Sequence, residues 1–160
     1  MRVRMRQMVP FAVIAVSLVV ALGGMAVAQS NLGTWKLNVS KSKYDPGPPP
    51  KSVTRVIEAW ETDGIKETAT VVQADRTRVT GGLTAHYDGK DYKSANPNFD
   101  TTAFKRANAN TITFTLKRGG KVVGRGRYVV SKNGTTATET VTYMNAKGQR
   151  VHNVTVYDKQ

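Results

Sequence analysis

Few side chains in this sequence are placed to do chemistry. There is no cysteine, which removes thiolate metal sites, cysteine nucleophiles and disulfides together. His86 and His152 are the only histidines. Their spacing is not that of a metal pair, so no metal site is expected. No Gly-x-Ser-x-Gly elbow, phosphate-binding glycine loop or dinucleotide fingerprint occurs. Glu58 and Glu61 stand close enough for acid–base work, but nothing in the spacing demands it. No catalytic residue and no cofactor is therefore assigned, and the chain reads as a binding protein rather than an enzyme. The polar side chains that could hold a ligand come late in the chain. They are Arg127 and Tyr128, then Asn153, Thr155 and Tyr157, the last three sharing one face of an alternating segment.

Charge narrows the partners. The 160 residues carry a formal net charge of +13. Three of the 24 basic residues (Arg2, Arg4 and Arg6) lie in the first 28 residues, which hold no acid, so the rest holds 21 basic and 11 acidic residues, a net of +10. From Thr101 to Thr138 there is no acid, while Lys105, Arg106, Lys117, Arg118, Lys121, Arg125, Arg127 and Lys132 fall within it. Gathered at one rim, these would bind an anionic envelope component; dispersed, they would solvate the surface and protect strand edges. Nucleic acid is not expected as a partner, because Gly124-Arg125-Gly126-Arg127 sits in an alternating strand and the leader directs export.

That leader is residues 1–28. Met1 to Gln7 is basic, Val9 to Leu22 is apolar, and Ala26-Val27-Ala28 supplies small residues at a cleavage site. It reads as a signal peptide, with a mature domain over 29–160 that is periplasmic or extracellular, not membrane-embedded, and monomeric. An uncleaved anchor is the rival, since Met8 to Ala28 nearly reaches spanning length.

The elements that would position any site are strands. Trp35, Leu37 and Val39 alternate with Lys36 and Asn38 from Gly33 to Ser40. Lys41 to Lys51, with Asp45-Pro46-Gly47-Pro48-Pro49-Pro50, breaks the pattern and reads as a stiff connector. Further strands are expected over 53–60, whose inner face is not assignable, and over 65–74, 77–87, 91–93, 101–106, 111–117, 121–131, 135–143 and 150–159. Asp63-Gly64, Asp88-Gly89, Gly119-Gly120, Asn133-Gly134 and Lys147-Gly148 mark turns, and Gly81-Gly82 suggests a bulge or bend. The threonine rows Thr111/Thr113/Thr115 and Thr136/Thr138/Thr140/Thr142 suit an outer, wet face. Short connections predict an all-β fold, a closed antiparallel up-and-down β-barrel of about eight to ten strands.

Gly33-Thr34-Trp35-Lys36-Leu37 resembles the G-x-W opening of the calycins, the lipocalin and fatty-acid-binding-protein superfamily. Val156-Tyr157-Asp158-Lys159 is similar to the closing strand of fatty-acid-binding proteins, and the whole resembles secreted bacterial lipocalin-like proteins. The resemblance implies a lipocalin-like barrel around a cavity for a small apolar or amphipathic ligand. It gives Gly33 and Trp35 structural roles, with Trp35 beside a basic residue from a late strand, Arg150 or Arg127. It also implies that the Tyr157 face looks inward. Two departures stand out. Lys41 to Lys51 is too short and proline-rich for a helical lid, and Thr155 stands where the family's carboxylate-holding arginine would be. The inner wall would then offer a hydroxyl, an amide and a phenol without a fixed cation, unless Arg127 turns inward. An apolar ligand with a neutral head is expected to bind better than a fatty acid. The alternative is a filled barrel acting as a structural or interaction module of the envelope through its basic surface.

Overall fold

The computed structural model describes residues 30–160; the expected signal peptide lies outside them. Ten strands follow one another: β1 (Gly33–Asp45), β2 (Ser52–Trp60), β3 (Gly64–Val72), β4 (Arg78–His86), β5 (Asp88–Lys93), β6 (Thr101–Asn108), β7 (Thr111–Arg118), β8 (Lys121–Val130), β9 (Thr136–Met144) and β10 (Arg150–Lys159). All are antiparallel and pair in the order β4-β3-β2-β1-β10-β9-β8-β7-β6-β5. The fold is thus the up-and-down meander that the turn spacing predicts. Pairing of β1 with β10 joins the first and last strands and curls the sheet into a nearly closed barrel. One seam stays open: β4 and β5 are the two ends of the sheet and share no ladder. Charged Arg78, Lys90 and Lys93 stand along these edges, which blunts pairing with a second chain.

Strand one is longer than its alternation suggests. Asn38 pairs with Val156 and Lys43 with Val154, so β1 carries a bulge between them and resumes to Asp45. Ser42 Oγ closes the bulge, donating to the Asn38 carbonyl at 2.7 Å and accepting from the Val156 N–H at 2.9 Å. The bulge hides the strand from a period-two reading and turns Tyr44 against the core. At Gly81-Gly82 the β3–β4 register runs without a shift, so no bulge lies there.

The inner wall is apolar and aromatic. Leu37, Val53, Ile57, Ile65, Ala85, Ile112, Leu116, Val130, Ala137, Val141 and Val151 are buried, while the threonine rows face outward. On β2 the inner face is therefore Val53, Arg55 and Ile57, with Val56 and Glu58 outside. Gly126 also faces in, and the Phe114 ring occupies the space its side chain would fill.

One end of the barrel is sealed around Trp35, which is 0% exposed. Its Nε1–H donates to the Asn31 carbonyl at 2.8 Å, and Asn31 Nδ2 donates to the Tyr87 hydroxyl at 2.8 Å. Arg106 lies over the Tyr87 ring at 4.2 Å and reaches Asp63 at 3.0 Å. The basic partner of Trp35 is neither Arg150 nor Arg127. Lys159 Nζ sits 5.2 Å from the ring centroid. Arg150 belongs to the opposite end of β10, against Met144, and Arg127 alternates outward beside inward Tyr128. Gly33 completes this arrangement. It holds a φ of +120°, which residues with a side chain rarely adopt, and a Cβ there would stand 2.9 Å from Lys159 Cε, so a substitution strains the backbone and pushes the lysine stem aside.

Candidate ligand-binding site

Three charged side chains project from the apolar inner wall. Arg55 lies between Val53 and Ile57 on β2, and Glu67 between Ile65 and Ala69 on β3. Glu139 lies between Ala137 and Val141 on β9. Period-two alternation carries all three inward with their apolar neighbours. Arg55 binds Glu67 as a fork, Nε to Oε1 and Nη2 to Oε2, both at 2.8 Å. Its Nη1 donates to Glu139 Oε2 at 2.7 Å. Tyr128 and Tyr157 flank the guanidinium, with ring centroids 5.1 and 5.3 Å from Cζ.

The electrostatics are those of a closed interior. Side-chain exposure is 14% at Arg55, 12% at Glu67 and 21% at Glu139. Burial works against the guanidinium charge, but the two carboxylates outweigh it and hold Arg55 well above its ordinary pKa. The cluster contains one cation and two carboxylates. Burial raises the phenol pKa of Tyr128, Tyr157 and Tyr44 above the usual value near 10, and Glu139 adds to the rise in each. All three are neutral donors at physiological pH. The Tyr128 hydroxyl is buried and has no hydrogen-bond partner among the described residues.

Of the residues singled out in sequence, Tyr128, Thr155 and Tyr157 are buried together on this wall, and Asn153 continues their face. Asn153 Oδ1 accepts from the Asp45 N–H at 3.3 Å, tying β10 to the end of β1. Arg127 is a correction: it is exposed on the outer wall, paired in register with Thr113 and Thr140, and does not reach the interior. The expectation that the inner wall lacks a cation is also corrected, because Arg55 supplies one from β2. Arg55, Glu67 and Glu139 are the residues that sequence reasoning missed.

The other constellations separate. Glu58 is exposed on β2, and Glu61 pairs with His86 at 3.2 Å. His152 contacts Thr142 at 2.8 Å. Among the described residues no group of three or more His, Asp or Glu could hold a metal ion. The basic segment does not gather at one rim, because successive hairpin turns fall at opposite barrel ends. Lys121 stands at the β7–β8 turn and Lys132 at the β8–β9 turn. Arg106 is committed to Asp63, Lys117 to Asp91 at 2.8 Å, and Arg118 to the Met144 carbonyl at 2.7 Å.

Fold and site together define a small, nearly closed antiparallel β-barrel, sealed around Trp35 at one end and with a polar cluster on its inner wall. Solved structures of the same fold include zebrafish ileal bile acid-binding protein with cholic acid, at 16% identity and a TM-score of 0.50, covering 82% of this chain and 99% of that one. A mutant of the fluorescent protein UnaG matches at 12% identity and 0.56, covering 82% and 96%. The extracellular fatty acid binding protein As-p18 matches at 14% and 0.52, covering 82% and 97%. No protein-family model matches the sequence, and no curated protein does.

Proposed function

We propose that this chain is an exported, monomeric, non-enzymatic protein of the secreted bacterial lipocalin-like kind, which binds a small apolar or amphipathic ligand inside its barrel. The observation that carries the reading is the polar cluster of Arg55, Glu67, Glu139 and Tyr128 set in an otherwise apolar inner wall. Buried polar groups cost stability unless partnered, and an unpartnered phenol facing such a wall suits a ligand head group. The bile-acid and fatty-acid binders among the structural neighbours favour the same ligand class.

A fatty acid is the poorer fit. Arg55 is already neutralised by two carboxylates, so a third would enter a site with an excess of negative charge. Displacement of an environment-sensitive dye by dodecanol and dodecanoate tests this. The alcohol is expected to win; an acid that wins by about tenfold, roughly 1.4 kcal/mol, contradicts it. Export is tested by intact mass, with a mature N-terminus at Gln29 expected in the envelope or medium. Recovery of the full-length chain in the membrane would favour the anchor instead. A second reading, an envelope interaction module, is favoured by exposed Lys105, Arg125 and Arg127 on the outer wall; it predicts no displaceable dye.

A further inference from the structure

We infer that the interior site selects a ligand with a cationic, hydrogen-bond-donating head group, an alkyl amine being the simplest example. This deepens the ligand reading above and rests on it. The argument starts from charge. Glu67 satisfies two donors of Arg55 and forms with it a neutral fork. Glu139 is the additional carboxylate, and only its Oε2 is engaged by the guanidinium. Its Oε1 receives no donor from Arg55 and stays open to solvent on a side chain that is 21% exposed. Thr155 Oγ1 donates to the Glu139 main-chain carbonyl instead, at 3.5 Å. Tyr44, Tyr128 and Tyr157 surround the carboxylate as neutral phenols and cannot offset its charge.

The second observation is independent of the charges. Tyr128 is 4% exposed, and its hydroxyl lacks a partner. Across the β8–β9 ladder Tyr128 pairs in register with Glu139, so both side chains leave the same wall at neighbouring positions. An ammonium donates to Glu139 and is stabilised by the one-charge negative excess of the cluster, while the Tyr128 and Tyr157 rings already hold Arg55 over their faces. An alcohol can donate to Glu139 or accept from Tyr128 but gains nothing from the charge. A carboxylate would be repelled by Glu139.

The outer charge makes the test sharp. The chain is strongly basic, so adsorption to its surface favours the acid and opposes the amine. An amine preference must therefore come from the interior, and it should persist at high salt, which screens exposed charges far more than buried ones.

The experiment is dye displacement from the full mature chain by dodecylamine, dodecanol and dodecanoate, at low and high salt, repeated with E139Q. The expected order is amine, alcohol, acid, with the amine about tenfold or more ahead of the alcohol at both salt concentrations. E139Q is expected to reduce the amine-to-alcohol ratio by about tenfold. An amine no better than the alcohol, or an amine advantage unaltered in folded E139Q, overturns the inference while leaving a ligand-binding barrel intact. If E139Q does not fold, the order and salt response of the unaltered protein decide alone. If none of the three displaces the dye, the ligand reading itself fails.

Discussion

Arg55→Met is expected to destabilise the protein by about 3–5 kcal/mol, the cost of leaving a buried charge uncompensated. For a domain whose total stability is about 5–15 kcal/mol, that lowers the thermal midpoint by roughly 10–20 °C. The cause is not the loss of a strong attraction. Glu67 and Glu139 are mostly buried, at 12% and 21% exposure, and without the guanidinium they confront each other across an apolar wall. Removing the whole cluster should therefore cost less than removing its cation. Arg55→Met combined with Glu67→Gln and Glu139→Gln is expected to recover much of the midpoint. Thermal unfolding of the single and triple variants measures this. A single variant that melts like the unaltered protein, or a triple variant that melts below the single one, would mean that the cluster is solvated rather than interior.

Trp35→Ala is expected to cost a similar amount, about 3–5 kcal/mol, as for other deletions of a fully buried aromatic side chain. The loss reaches beyond the cavity. The ring holds the Asn31 carbonyl, which in turn fixes the Asn31–Tyr87 bond, and it forms the floor on which Lys159 rests. Trp35→Phe keeps most of the packing but loses the indole donor, so its cost should be smaller, about 1 kcal/mol for the hydrogen bond with some added for lost volume. Denaturant titration of both variants separates the contributions. Equal midpoints for Trp35→Ala and the unaltered protein would remove Trp35 from the core.

Much of the fold was legible in the sequence because turn residues and alternation repeat along it. Gly119-Gly120, Asn133-Gly134 and Lys147-Gly148 fall between strands as expected, whereas Gly64 opens β3 and Asp88-Gly89 opens β5, and the threonine rows lie outside. Two local features were hidden. The β1 bulge shifts the phase of the alternation, which makes Lys41 to Asp45 read as a connector. The open β4–β5 seam depends on the curvature of the whole sheet, which no local pattern encodes.

The site was only half legible. Tyr157 and Thr155 were placed inward by the resemblance of the closing strand and not by alternation, since Val154 and Val156 share the other face. Glu139 does obey alternation: once Thr138 and Thr140 are outside, it must be inside with Ala137 and Val141. Charge alone made it look like a surface residue. Arg55 lay on a strand with apolar residues on both faces, and its partners Glu67 and Glu139 stand 12 and 84 residues away. Such pairing comes from closure of the barrel, so sequence spacing does not reveal it.

The central claim is that the barrel interior is the binding site, and an NMR titration of isotope-labelled protein with dodecanol tests it most directly. Chemical-shift changes are predicted to concentrate on inward residues, Val53, Ile65, Phe104, Tyr128 and Tyr157, while Thr113, Arg127, Thr138 and Thr140 on the outer wall stay still. Changes confined to that outer wall, or none at ligand concentrations that saturate the dye signal, would contradict it.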